Sequence, residues 1–159
     1  MQSWHIRQAA EADRPFLERL APRLSLGVAP WRGAERMRAT MLRFLLDDLA
    51  AMGRDSTVFI AEAADGTPVG AATIGRSNHF TGQEQAELGE LAVVEEAEGQ
   101  GAGTALLAAA EAWARERGFP FVALGTGVAN ARARAFYARH GYAEEDVRLI
   151  KPLRSPRPF

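Results

Sequence analysis

The 159-residue chain contains no cysteine, which removes disulfides, thiolate metal centres and a cysteine nucleophile together. Lysine is nearly absent as well. Of the 19 basic residues only Lys151 is a lysine, so the positive charge of this protein is carried by arginine. Neither sign of charge is in excess: 20 acidic residues against 19 basic ones leave a formal net charge of -1, which gives no general attraction to nucleic acid or to an anionic membrane. No stretch reaches the roughly 18 apolar residues of a membrane span. The opening segment Met1 to Arg7 has no apolar run of signal-peptide length. These absences lead us to expect a cytoplasmic protein with no nucleic-acid and no membrane partner, whose ligands must be sought at a local site.

What is present is ordinary for a globular protein, with 47% hydrophobic and 25% charged residues. The length suits one domain over 1–159, with 153–159 as a loose tail. Ser3 to Arg7 reads as a first strand, and Glu11-Ala12-Asp13 opens a helix expected to run to about Leu24. Gly27 and Pro30 mark a loop. From Ala34 to Met52, Met37, Met41, Leu45, Leu49 and Met52 recur at helical spacing, a stripe that serves core packing or else walls a substrate site. Thr57 to Ala63 and Pro68 to about Arg76 form an antiparallel pair across Asp65-Gly66. Gln83 to Val94 is the next strand, and a helix from about Ala102 to Arg117 carries Leu106, Ala109, Ala110 and Trp113 on one face. A short strand at Phe119 to Leu124, a helix capped by Asn130 and running to about His140, and a last strand at Tyr142 to Lys151 complete the order. A mixed sheet flanked by helices follows. The three consecutive strands in the middle argue against a regular doubly wound domain.

Between the strand ending near Val94 and the helix starting at Ala102 lies Gly99-Gln100-Gly101-Ala102-Gly103-Thr104. Glycines there let the backbone approach a ligand, and the free N–H groups of a first helical turn suit phosphate oxygens. A nucleoside-triphosphate loop would need a Lys after the last glycine, and none is present. A dinucleotide fingerprint would need glycine in place of Thr104 and an earlier position in the chain. A second block, Asn130-Ala131-Arg132-Ala133-Arg134-Ala135-Phe136-Tyr137, ends in Gly141-Tyr142.

Together these blocks resemble the GNAT superfamily of N-acetyltransferases, whose members carry Arg/Gln-x-x-Gly-x-Gly/Ala between the fourth strand and third helix and Asn-x-x-Ala-x-x-Phe-Tyr further on. The resemblance is detailed from about Glu87 to Tyr142 and topological before that. It implies an α/β (α+β) fold with a mixed, mostly antiparallel central sheet, acetyl-CoA as the acyl donor, and no metal. The acceptor it implies is a primary amine of a small molecule or peptide, which attacks the thioester directly. By the same resemblance Leu91, Ala92 and Val93 bond the pantetheine arm, with the Val93 N–H as oxyanion donor. Gly99, Gln100, Gly101, Ala102, Gly103 and Thr104 hold the pyrophosphate, and Asn130, Ala133, Phe136 and Tyr137 complete the cofactor site. Glu98 departs from the pattern, standing where Arg or Gln is usual.

Amine attack on a thioester needs a base, an oxyanion donor and a proton for the thiolate. Tyr137 matches the family's thiolate-protonating tyrosine. Glu87 matches its strand glutamate, with Glu90 as the other candidate, and a bulge in that strand would change which face each occupies. His5, His79 and His140 share no ligand spacing and are assigned no role; no metal set is legible. A non-catalytic acyl-CoA sensor and a nucleotide-binding domain of another fold remain as alternative readings. A homodimer, common in the family, is open.

Overall fold

A computed structural model describes residues 3–154. The chain runs through β1 (His5–Gln8), a 3-10 turn (Glu11–Asp13), α1 (Arg14–Leu20), two more 3-10 turns (Ala21–Ser25 and Pro30–Arg32) and α2 (Ala34–Ala50). It continues with β2 (Ser56–Glu62), β3 (Pro68–Asn78), β4 (Glu84–Val93), a 3-10 turn (Glu95–Ala97), α3 (Ala102–Glu116), β5 (Val122–Leu124) and α4 (Ala131–Arg139). The single helix expected from Glu11 to Leu24 is three pieces. Pro15 stands in the first turn of α1, where its missing N–H costs nothing, and Pro22 removes a donor just beyond the end of α1, so the chain tightens into 3-10 geometry.

The sheet order is β1-β2-β3-β4-β5. The first four strands pair antiparallel in succession, and β5 joins β4 parallel. Helices cover both faces, so the middle strands are buried on both sides: Val69 to Ile74 are all inaccessible, without the alternation of a half-exposed strand. On one face α3 contributes Leu106, Leu107, Ala110 and Trp113 to a core with Ile74, Ala86 and Leu88. On the other, Phe16, Leu17 and Leu20 of α1 and Leu45 and Leu49 of α2 pack on Val58, Ile60, Ala71 and Ala92. The methionine stripe of α2 divides accordingly. Leu45 and Leu49 are core and Met52 packs beside them, whereas Met37 and Met41 are half-buried outside both clusters.

One expected element is absent. Tyr142 to Lys151 adopts no strand, and Val147 (76%) and Leu149 (88%) stand exposed to solvent. A strand requires a partner edge, and among the described residues no backbone bond joins 143–151 to the sheet, whose nearest edge strand β5 is three residues long. The tail segment 155–159 lies outside the described residues.

Candidate functional site

The site begins with a fault in the sheet. Between β3 and β4 the register runs Ala72 opposite Leu91 and Ile74 opposite Leu88, so Gly89 and Glu90 together face Thr73. This is a β-bulge, and it reverses the pleat: Ala86 and Leu88 face the α3 core before it, Leu91 and Val93 face that core after it, and Ala92 turns to α1 and α2. On its other side β4 pairs with β5 only from Ala86 to Leu88. Beyond Leu88 that pairing ends, which leaves the outer edge of Gly89 to Val93 without a strand partner among the described residues, a gap or cleft in the sheet on the side of Phe136 and Tyr137 of α4.

The bulge gathers side chains from four elements. The buried Thr73 Oγ1 accepts the backbone N–H of Glu90 at 3.0 Å, and its hydroxyl bonds the Asp48 carboxylate of α2. Position 89 must be glycine for this, since a Cβ there would lie 2.6 Å from Thr73 Oγ1. Burial, reinforced by the negative charge of Asp48, pushes the Glu90 carboxyl up to about 7. Burial likewise raises the Asp48 carboxyl above its usual range. Tyr137 of α4 completes the group; burial and then the charge of Glu90 push its phenol up to about 12. Its ring sits edge-on to Phe136 (5.2 Å) and to Tyr142 (5.6 Å), which fixes its orientation. A carboxyl near its midpoint of titration at neutral pH thus lies within electrostatic reach of a phenol that keeps its proton. That is the combination a proton acceptor and a proton donor require.

Glu87 is in a different setting. It is exposed, faces Gly75 and Ala123 across the sheet, and its carboxylate accepts the Ser77 hydroxyl at 2.7 Å. Glu84 is exposed and paired with Arg76 at 2.5 Å. Of the strand acids, Glu90 is the one that is sheltered and whose charge acts on Tyr137.

At the end of the cleft the glycine turn enters α3. Gly101, the N-cap, has φ +94°, a left-handed conformation, and offers no side chain to the amides of Ala102, Gly103 and Thr104. Those amides and the positive end of the α3 dipole are therefore available to an anion, and the turn fits the phosphates of an acyl-CoA. Trp4 pins the turn from outside by donating its Nε1–H to the Gln100 carbonyl at 2.9 Å, and the Gln100 amide is occupied with the Glu96 carbonyl at 2.6 Å. Gly103 lies against Phe136 and Leu91. The Thr104 hydroxyl meets His140 Nε2 at 3.1 Å; since His140 Nδ1 faces the Phe136 carbonyl at 2.8 Å and must carry the proton, Nε2 is the acceptor. Asn130 uses both polar ends within the protein, accepting the Ala133 N–H at 3.1 Å and donating to the Leu26 carbonyl at 3.2 Å. Leu91, Ala92 and Val93 border the cleft, and the Val93 carbonyl accepts Arg23 Nε at 3.2 Å.

Asp48, Thr73, Arg23 and Arg132 escaped the sequence reading. A signal for Asp48 existed: it falls between Leu45 and Leu49 and Met52 at helical spacing, an acid on an otherwise apolar stripe. Nothing in the sequence ties Thr73 to Glu90. Three ligand-type side chains also converge on the surface, His79 with Glu145 and Asp146, with ligand atoms within 4.8 Å of one another; both carboxylates are exposed, as surface acids commonly are without a metal.

A family model described as the acetyltransferase (GNAT) family matches residues 24–142. The chain is 34% identical over 149 residues to an aminoglycoside N(6')-acetyltransferase type 1 of Stenotrophomonas maltophilia, covering 91% of this chain and 89% of that protein. It is 37% identical over 109 residues to an uncharacterized N-acetyltransferase of Methanocaldococcus jannaschii, covering 64% of this chain and 48% of that protein. In fold it is similar to the crystal structure of the PaiA N-acetyltransferase of Thermoplasma acidophilum in complex with coenzyme A. That match has a TM-score of 0.76 and 22% identity and covers 92% of this chain and 93% of the other.

Proposed function

The chain belongs to the acetyltransferase (GNAT) family, and from that premise we propose that it acetylates a primary amine of a small cationic molecule, with Glu90 as base and Tyr137 as acid. Acetyl-CoA, the donor, supplies an activated acetyl group as a thioester. The observation that supports the residue assignment is the bulge, which puts Glu90 in a buried setting where the charge of Asp48 acts on it and its own charge acts on Tyr137. Glu90 removes the proton from the incoming ammonium, directly or through one water. The amine nitrogen then forms a bond to the thioester carbonyl carbon and the carbon–sulfur bond breaks. Tyr137 gives its phenolic proton to the departing sulfur and is restored by the second proton that the nitrogen sheds on becoming a neutral amide, while the proton held by Glu90 returns to solvent. The negative charges of Glu90 and Asp48 favour a cationic acceptor, and the aminoglycoside acetyltransferase relative makes aminoglycosides the first class to test.

The rate should rise with pH through about 7, because Glu90 acts in its ionised form. Glu90→Gln should lower kcat by about 10²- to 10⁴-fold and abolish that rising limb while leaving CoA affinity intact, and Glu87→Gln should do far less. Tyr137→Phe should reduce kcat and kcat/KM together at unchanged CoA affinity. Thiol release over a panel of aminoglycosides, polyamines and short peptides reads out the acceptor. A larger loss in Glu87→Gln than in Glu90→Gln would sink the base assignment, and turnover of peptides alone would sink the acceptor class.

A further inference from the structure

Glu98 is the residue at which this chain departs from its family's pattern, placing an acid where a basic or neutral side chain would meet the phosphates. Its surroundings reverse the sign. The Glu98 carboxylate is held between two guanidinium groups that come from distant parts of the chain. Arg23, in the 3-10 turn after α1, donates through Nη2 to Oε1, and its Nε also bonds the Val93 carbonyl at 3.2 Å. Arg132, in the first turn of α4, donates through Nη1 to Oε2 at 2.5 Å. Two positive charges around one negative leave a surplus of one, three residues before the helix cap Gly101.

The two arginines are not equivalent. Arg23 and Glu98 are comparably sheltered, with 21% and 20% of their side chains exposed, and Arg23 has a second acceptor to keep it in place. Arg132 is 69% exposed and touches Glu98 by one nitrogen. An ion pair whose cationic partner is that exposed contributes little and exchanges readily. Its contact runs from the turn before α3 to the start of α4, the two elements that border the phosphate end of the cleft. A guanidinium released there finds a better partner in a phosphate group, which it can grip through two parallel charge-assisted bonds. Glu95 and Glu96 are exposed in the preceding turn, and both would oppose an anion that had only backbone amides to hold it.

We propose that Arg132 is the diphosphate-binding side chain of this protein, exchanging the Glu98 carboxylate for the donor's diphosphate while Arg23 stays behind to neutralise Glu98. The proposal rests on the acyl-CoA reading of the cleft. Calorimetry with CoA on the full chain tests both and separates them: a wild-type protein that binds no CoA ends the cofactor reading, whereas wild-type binding with unchanged affinity in Arg132→Gln ends this one. The expected result is a rise in Kd for CoA of about tenfold in Arg132→Gln, the lower end of what a charge-assisted bond supplies. Arg132→Lys should recover part of the loss, since it restores charge without the fork. The loss should persist with 3'-dephospho-CoA, which keeps the diphosphate, and vanish in turnover of S-acetylpantetheine, which lacks it. A loss confined to CoA and absent with dephospho-CoA would overturn the diphosphate assignment. An equal loss with S-acetylpantetheine would make the role structural, and a thermal melt of the same variants, expected to match the wild type, guards against misfolding.

Discussion

Gly101 and Gly103 stand two positions apart in the same turn and differ in what they demand. Gly101 lies at φ +94°, where a side chain is strained whatever room it has, so Gly101→Ala should cost about 1–2 kcal/mol of stability as well as cofactor affinity. Gly103 is an ordinary helical residue, and a Cβ there would meet Phe136 and Leu91 at 3.7 and 3.8 Å, normal contact. Gly103→Ala should therefore raise stability, by up to about 1 kcal/mol from helix propensity, while weakening CoA through the methyl placed beside the phosphate amides. Denaturant melts and calorimetry on both variants check this. A Gly103→Ala protein with full CoA affinity would show that the turn does not approach the cofactor. The sequence marked both glycines by motif and could not distinguish them, because left-handed geometry at one of them is a property of the folded backbone. The same holds for the strand acids: Glu87 and Glu90 are alike in type, and only the bulge opposite Thr73 sets their environments apart.

Among the elements, α4 shows how a short helix with no fully buried residue is held. Its nine residues are anchored at the start by Asn130, whose side chain caps Ala133 and bonds the Leu26 carbonyl of the loop before α2. Asn130→Ala should lower stability by about 1 kcal/mol, the usual cost of a lost cap, and weaken both CoA affinity and acceptor KM because that one side chain joins α4, which carries Tyr137, to the loop before α2. Stability loss without either binding change would mean the helix holds its place by packing alone. The cap was legible in the sequence, since an asparagine before a helical block has few other uses. Its second bond, to Leu26, was not, being a contact across 104 positions. The single helix expected from Glu11 to about Leu24 is broken where Pro22 removes a backbone donor just past Leu20. The strand expected over Tyr142 to Lys151 fails because a strand needs a partner edge, which residues local in the chain do not reveal.

For the molecule as a whole, the acids of the cleft are expected to shape the pH dependence of folding. Glu90 has a carboxyl pushed up to about 7 in the fold and an ordinary one near 4.3 in the unfolded chain, so between those values the folded state binds more protons. Stability contributed by keeping Glu90 protonated is therefore present at low pH and is lost as pH rises through that window. Glu90→Gln, which cannot ionise, should raise Tm relative to the wild type at pH 8 and leave it nearly unchanged at pH 4. Equal shifts at both pH values would place Glu90 in a more solvated setting than described. A gain at pH 8 alone would mean that the protein gives up stability at neutral pH to hold a carboxylate ready for proton transfer.

The sequence by itself determined the class of fold, the family, the glycine turn before a helix and the position of the second block, because each is written in residues close together along the chain: helical spacing, strand runs, glycines before a helix, a cap before another. The tertiary structure alone decided which strand glutamate is sheltered, that its backbone N–H bonds Thr73 and its carboxyl feels the charge of Asp48, that Glu98 is wrapped by Arg23 and Arg132, and that 142–151 finds no strand partner. Those outcomes depend on register and on contacts between elements far apart in the chain. A one-residue bulge changes the face of every side chain beyond it without changing the composition or the hydrophobic pattern that a sequence displays.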